Sequence, residues 1–138
     1  MQKILVLCAG NSCRSIIAEA LINHLSDGNL KAVSAGSHPA GYVHPRSIKT
    51  LKRHGIDTDG LHSKSWDLFA GQHFDLVITV CDAAASESCP VFLGDYEKRH
   101  WSTPDPASVI GSEAVVDNAF DATFKRLKKH IEDELLPR

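Results

Sequence analysis

The sequence predicts an α/β fold in which a mostly parallel sheet is covered by helices on both faces, as one domain over residues 1–138. Three observations lead there. Short apolar runs bounded by turn residues alternate with segments whose apolar positions recur every three or four residues. Proline and glycine fall where such segments should open and close. A chain of 138 residues, 43% hydrophobic and 23% charged, can bury a core of its own without disulfide staples.

The elements follow in order. Residues 3–7 are an apolar run and read as a buried strand. Residues 9–12 form a turn-like segment. From Ser15, the apolar positions Ile16, Ile17, Ala20, Leu21 and Leu25 have helical spacing, and Gly28 is expected to end that helix. Residues 31–35 read as a second strand. Residues 45–54 read as a helix opened by Pro45 and closed at Gly55. Residues 75–80, DLVITV, are rich in β-branched side chains and read as a central strand. Residues 91–93 are expected to add another short strand. Residues 112–136 carry the strongest helical signal, with Val116, Phe120, Phe124, Leu127, Ile131 and Leu135 stepping by three or four.

The composition excludes several function classes. A net charge of −2 offers no electrostatic footprint for nucleic acid or an anionic membrane. The basic run Lys125, Arg126, Lys128 and Lys129 reads as a solvated helix face. The apolar run near the start is too short for a signal sequence, and no stretch approaches transmembrane length. The chain is therefore expected in the cytosol, where cysteines serve catalysis or metals more often than structure. The four cysteines stand at 8, 13, 81 and 89, which is not the paired spacing of a zinc ribbon. None of the eight histidines is spaced as a metal pair, so no bound metal is expected.

The chemistry lies in Cys8-Ala9-Gly10-Asn11-Ser12-Cys13-Arg14-Ser15, between the first strand and the first helix. A loop entering a helix N-terminus points backbone N–H groups inward, where they bind an oxyanion. Gly10 and Asn11 tolerate the positive φ that such a loop needs. Arg14 can hold two oxygens of a tetrahedral anion and keeps its charge. Helix dipole and guanidinium together favour Cys8 as a thiolate nucleophile, and Ser15 can donate a hydrogen bond to its sulfur. This is not a nucleotide-binding loop, because no Gly-Lys-Ser/Thr follows. A merely structural cysteine beside a strand–helix turn would not need Arg-Ser at this spacing.

The segment CAGNSCRS resembles the active-site loop of the low-molecular-weight protein tyrosine phosphatase family. Its Asn-Ser-Cys-Arg-Ser ending resembles in particular the arsenate reductases of that family. The likeness runs over nearly the whole chain. Ser34-Ala35-Gly36 is similar to the family's second strand, and His44-Pro45 to the opening of its next helix. Residues 75–81, ending in Cys81, resemble the strand that leads to the reductases' second redox cysteine. Cys89-Pro90 resembles the third, and His100-Trp101 followed by Asp105-Pro106-Ala107 resembles the acid loop. The fold implied is a phosphatase-like three-layer sandwich, a parallel sheet flanked by helices.

The resemblance also implies roles. Cys8 would attack arsenate, held by the loop Ala9 to Arg14 as phosphate or sulfate would be. Asp105 would protonate the departing oxygen as general acid. Cys81 would attack Cys8 and release arsenite, and Cys89 would attack Cys81 to leave a disulfide that external thioredoxin reduces. Glutaredoxin is the second choice of reductant, and no cofactor is tightly bound. The connection 82–88, DAAASES, is small and polar, as a moving segment should be, and the run 83–85 is expected to be a helical turn that unwinds during exchange. Cys13 has no relay role. The protein would serve arsenical resistance as a cytoplasmic monomer, with weak phosphatase activity at most.

Two departures from the family matter. Seven residues separate Cys81 from Cys89, one more than in the thioredoxin-coupled reductases. Some members bind potassium near the loop through Asn, Glu, Ser and Asp. Asn11, Glu19 and Ser34 match the first three, but Lys64 stands at the fourth. An ammonium group there would pair with Glu19 in the ion's stead, and no potassium requirement is expected. Two other readings compete. A tyrosine phosphatase would not need Cys81 and Cys89, and would usually carry tyrosines after the acid, where this chain has Pro106-Ala107-Ser108-Val109. A non-enzymatic redox or metalloid-binding module would not need Arg14 or Asp105.

Overall fold

The computed structural model describes residues 2–82 and 90–136. Four strands form one sheet, all parallel: β1 (Gln2–Cys8), β2 (Leu30–Gly36), β3 (Leu76–Thr79) and β4 (Glu97–His100), in the order β2-β1-β3-β4. Among the described residues, three α-helices, α1 (Arg14–Leu25), α2 (Pro45–Arg53) and α3 (Glu113–Glu134), connect or follow them. Parallel strands need crossover connections, and α1 and α2 lie in those from β1 to β2 and from β2 to β3.

The strand β1 is central because it is apolar on both faces. Ile4, Leu5, Val6 and Leu7 are fully buried, and each such side chain contributes about 1.5–3 kcal/mol by leaving water. Their alternation divides two cores. Ile4 and Val6 pack with Ile17, Leu21 and the α3 residues Phe120, Phe124, Leu127 and Ile131. Leu5 and Leu7 pack with Ala35, Val77, Phe74 and Phe92. Among the described residues, this second face is covered by a one-turn 3-10 helix (Trp66–Phe69) and aromatic rings instead of an α-helix.

The other helix boundaries have local causes. The helix α1 stops at Leu25, short of Gly28, because Asp27 already turns to φ +50 ahead of Gly28 at φ +87. Pro45 opens α2 and the ring of His44 caps it, accepting from Arg46 N. Ser112 caps α3 by accepting from Val115 N. The expected strand at 91–93 is absent. Val91 and Leu93 are 66% and 87% exposed and enter no ladder, while Phe92 turns inward. The fourth strand is instead Glu97–His100, a charged edge strand with no apolar alternation to reveal it.

The sheet order reverses at β1, whose neighbours are β2 on one side and β3 on the other. In open α/β sheets the crevice beyond the strand ends at such a point is where ligands bind. The register brings Cys8 beside Gly36, and Leu7 beside Thr79, at that edge. No helix among the described residues is long and apolar enough to cross a membrane.

Candidate active site

The end of β1 delivers Cys8, and residues 9–13 curl over the start of α1. Outward carbonyls explain the loop's shape. Ala9 O accepts from His38 N at 2.9 Å, Gly10 O from Ala40 N at 2.8 Å and Ser12 O from His44 N at 3.1 Å. Ser63 Oγ and Ser47 Oγ add bonds to Gly10 O and Ser12 O. In a planar trans peptide the N–H opposes the carbonyl. Outward carbonyls at 9, 10 and 12 therefore turn the N–H groups of Gly10, Asn11 and Cys13 inward. Asn11 supplies the one positive φ, +49; Gly10, expected to share that need, has none. Gly36 is the glycine the loop requires, since a Cβ there would lie 2.4 Å from Ala9 O.

Cys8 is 3% exposed, and its sulfur meets two donors. Asn11 N donates to it at 3.2 Å, and Ser15 Oγ lies 2.9 Å away. Asn11 Nδ2 donates to that same Ser15 Oγ at 2.8 Å, which leaves the hydroxyl hydrogen to point at sulfur. Residues Cys8 to Arg14, with Asp105 and Ala107, line a cavity of about 180 Å³. That is a few water molecules' space at about 30 Å³ each, the scale of a tetrahedral oxyanion.

Arg14 is 5% exposed and reaches across the sheet edge, its Nη1 donating to Thr103 O at 3.1 Å and Val80 O at 3.4 Å. The guanidinium thus ties the anion loop to the end of β3 and to the segment bearing Asp105. Asp105 is a turn residue that also reaches the cavity. One oxygen accepts from Ala107 N at 3.0 Å and caps a 3-10 turn (Pro106–Ser108), while the residue also borders the cavity. Nearby, burial and then Arg46 hold the His44 ring below its usual value, with Asp105 pulling the other way.

Cys81 is fully buried, two residues beyond β3, and is in a disulfide; Cys8 and Cys13 are free thiols. Cys89 and the 83–88 connection lie outside the described residues. Cys13 is 4% exposed at the N-cap of α1, where burial pushes its thiol up, only partly offset by Ser12 and Ser47.

Behind the loop runs a polar chain. Ser34 Oγ accepts from Asn11 Nδ2 at 2.9 Å and donates to Glu19 Oε1 at 2.6 Å. Lys64 Nζ lies 3.5 Å from that same Oε1, and Lys64 N donates to Asn11 Oδ1 at 2.9 Å. The Lys64 and Glu19 side chains are 9% and 12% exposed. A donor set that includes an ammonium group does not fit a potassium ion. Sequence reasoning missed Thr103 and Ser47, because single polar residues in turns and helices carry no pattern. It also missed the loop 38–44, which holds the carbonyls through backbone alone.

The comparisons with known proteins agree with this geometry. The chain is 35% identical over 133 residues to the arsenate reductase of Bacillus subtilis, covering 94% of both chains. The crystal structure of arsenate reductase from Archaeoglobus fulgidus superposes with a TM-score of 0.74 at 29% identity, over 94% of this chain and 98% of that one. The thioredoxin-dependent arsenate reductase of Corynebacterium glutamicum superposes with a TM-score of 0.64 at 25% identity, over 96% of this chain and 62% of that one. The family model described as low molecular weight phosphotyrosine protein phosphatase matches residues 3–136. With strand, anion loop and acid segment meeting at one sheet edge, and the match spanning nearly every residue, the chain belongs to the low molecular weight phosphotyrosine protein phosphatase family.

Proposed function

We infer that this protein reduces arsenate to arsenite. The observation that carries the reading is a buried cysteine sulfur with two hydrogen-bond donors in an anion-sized cavity, with a second buried cysteine, Cys81, two residues beyond the neighbouring strand. Its relatives' names agree. In the first step the Cys8 thiolate attacks arsenic, and an oxygen leaves as water after a proton comes from Asp105. The N–H groups of the 9–13 loop and the Arg14 guanidinium hold the remaining oxygens. Ser15 orients the Cys8 sulfur.

In the second step the Cys81 thiolate attacks Cys8 Sγ. The sulfur–sulfur bond forms as the sulfur–arsenic bond breaks, and its electron pair stays on arsenic, which leaves as arsenite. In the third, Cys89 attacks Cys81, frees the Cys8 thiolate and leaves a Cys81–Cys89 disulfide. The dithiol of thioredoxin supplies the two electrons that close the cycle, in line with the named dependence of the Corynebacterium relative. Phosphate and sulfate compete for the loop. Lys64 stands in for a cation, so potassium is not required. The protein acts as a monomeric domain in the cytoplasm, away from nucleic acid and membranes.

The test is NADPH oxidation with arsenate, thioredoxin and thioredoxin reductase, for the native protein and for Cys81→Ser. Turnover that disappears in the variant is the expected result. Hydrolysis of an aryl phosphate with no arsenate-dependent NADPH consumption, by thioredoxin or glutaredoxin, would make the protein a phosphatase instead.

A further inference from the structure

Residues 101–105 carry Asp105 from the end of β4 to the cavity rim, and side chains from α1 and α3 hold that stretch. Trp101 N donates to Thr79 O at 2.8 Å, and its buried ring stacks on His130 of α3 at 5.0 Å between centroids. Thr103 O accepts from Arg14, as described, and Thr103 Oγ1 donates back to Trp101 O at 2.8 Å. Between them, Ser102 O accepts from Nε of Arg126, on α3, at 2.8 Å. Two guanidinium groups therefore grip adjacent carbonyls of one short segment.

The two grips differ in kind. Arg14 lines the anion cavity, so its hydrogen bonds are shared with whatever binds there. Arg126 lines a separate cavity of about 250 Å³ behind the segment, with Pro104, Asp105 and Pro106 on its wall. Arg126 does not line the anion cavity. Pro104 fixes one φ angle between residue 102 and Asp105, which reduces the freedom of that short connection. The sequence placed Arg126 in a basic run on a solvated helix face; the structure gives it a specific backbone partner.

We propose that Arg126 is a positioning residue, keeping Asp105 at the cavity rim through its hydrogen bond to Ser102 O. The proposal rests on Asp105 as general acid. Misplacing a reacting group by about 1 Å can cost up to a hundredfold in rate. A lost charge-assisted hydrogen bond at an exposed site predicts a smaller loss, about tenfold.

The experiment measures kcat and KM for arsenate, with thioredoxin in excess, in Arg126→Met, Arg126→Lys, Asp105→Asn and the double variant Arg126→Met/Asp105→Asn. Methionine keeps the stem and helix propensity without a donor, and a melting curve for each variant checks folding. Arg126→Met should lower kcat about tenfold and leave KM within about twofold, because the anion loop is untouched. Arg126→Lys should recover most of the rate, and the double variant should be no slower than Asp105→Asn alone. Full kcat in Arg126→Met, a loss confined to KM, or a loss that adds in full to that of Asp105→Asn would overturn the proposal. If Asp105→Asn itself turns over at the native rate, the general-acid reading fails, and this one with it. A slow Asp105→Asn beside a native-like Arg126→Met refutes the positioning role alone.

Discussion

Replacing Lys64 by Met probes how the anion loop is held from behind. The change keeps most of the side chain's volume and removes its charge. Glu19 is left nine-tenths buried, without the ammonium group 3.5 Å from its Oε1. Exposed ion pairs contribute about 0.2–1 kcal/mol, whereas removing one partner of a buried pair costs about 3–5 kcal/mol. Glu19 keeps the 2.6 Å hydrogen bond from Ser34, which offsets part of that cost. The expected loss is about 2–3 kcal/mol, between those limits. For a chain of this length about 1 kcal/mol moves Tm by about 3 °C, so a drop of about 6–9 °C should appear by calorimetry. Melting in potassium chloride and in choline chloride at equal ionic strength separates pairing from ion binding. The native protein should melt alike in both, and Lys64→Asp should melt higher in potassium. A native protein stabilised by potassium, or a Lys64→Met variant within 1 °C of native, would refute the reasoning.

Two further outcomes follow from the same geometry. Gly36→Ala places a Cβ 2.4 Å from Ala9 O; overpacking against backbone should cost about 1–3 kcal/mol and raise KM for arsenate by displacing the loop, as denaturant midpoints and kinetics would register. Asp117 joins α2 to α3. Burial raises its carboxyl, but hydrogen bonds and charge from Lys49 and Arg46 outweigh that and hold it below the usual 3.8. A depressed carboxyl stabilises the fold above its unfolded value, and the contribution fades as pH falls through the folded one. The difference in urea midpoint between native protein and Asp117→Asn should therefore be clear at neutral pH and shrink below about pH 3.8.

Much of the architecture was legible because burial leaves periodic traces. The runs that became β1 and β3 are apolar on both faces, and Phe120, Phe124, Leu127 and Ile131 mark the buried stripe of α3. The strand β4 left no trace: Glu97, Lys98, Arg99 and His100 sit on a sheet edge, where a backbone ladder suffices and side chains stay wet. Residues 91–93 misled for the converse reason, being apolar without being paired.

At the site, the sequence by itself singled out Cys8, its loop and Arg14 as candidates, and only the family resemblance added Asp105. Strand, loop and helix are contiguous there, and the chemistry requires those residue types at that spacing. It also named Glu19 and Lys64 as partners. Only the tertiary structure decided which way the loop carbonyls face, because the groups that hold them come from residues 38–63. Only it showed that Gly36, and not Gly10, is the obligatory glycine, and that Arg14 and Arg126 meet adjacent carbonyls before Asp105. Contacts between residues far apart in the chain depend on sheet order and helix packing, and no local pattern records them.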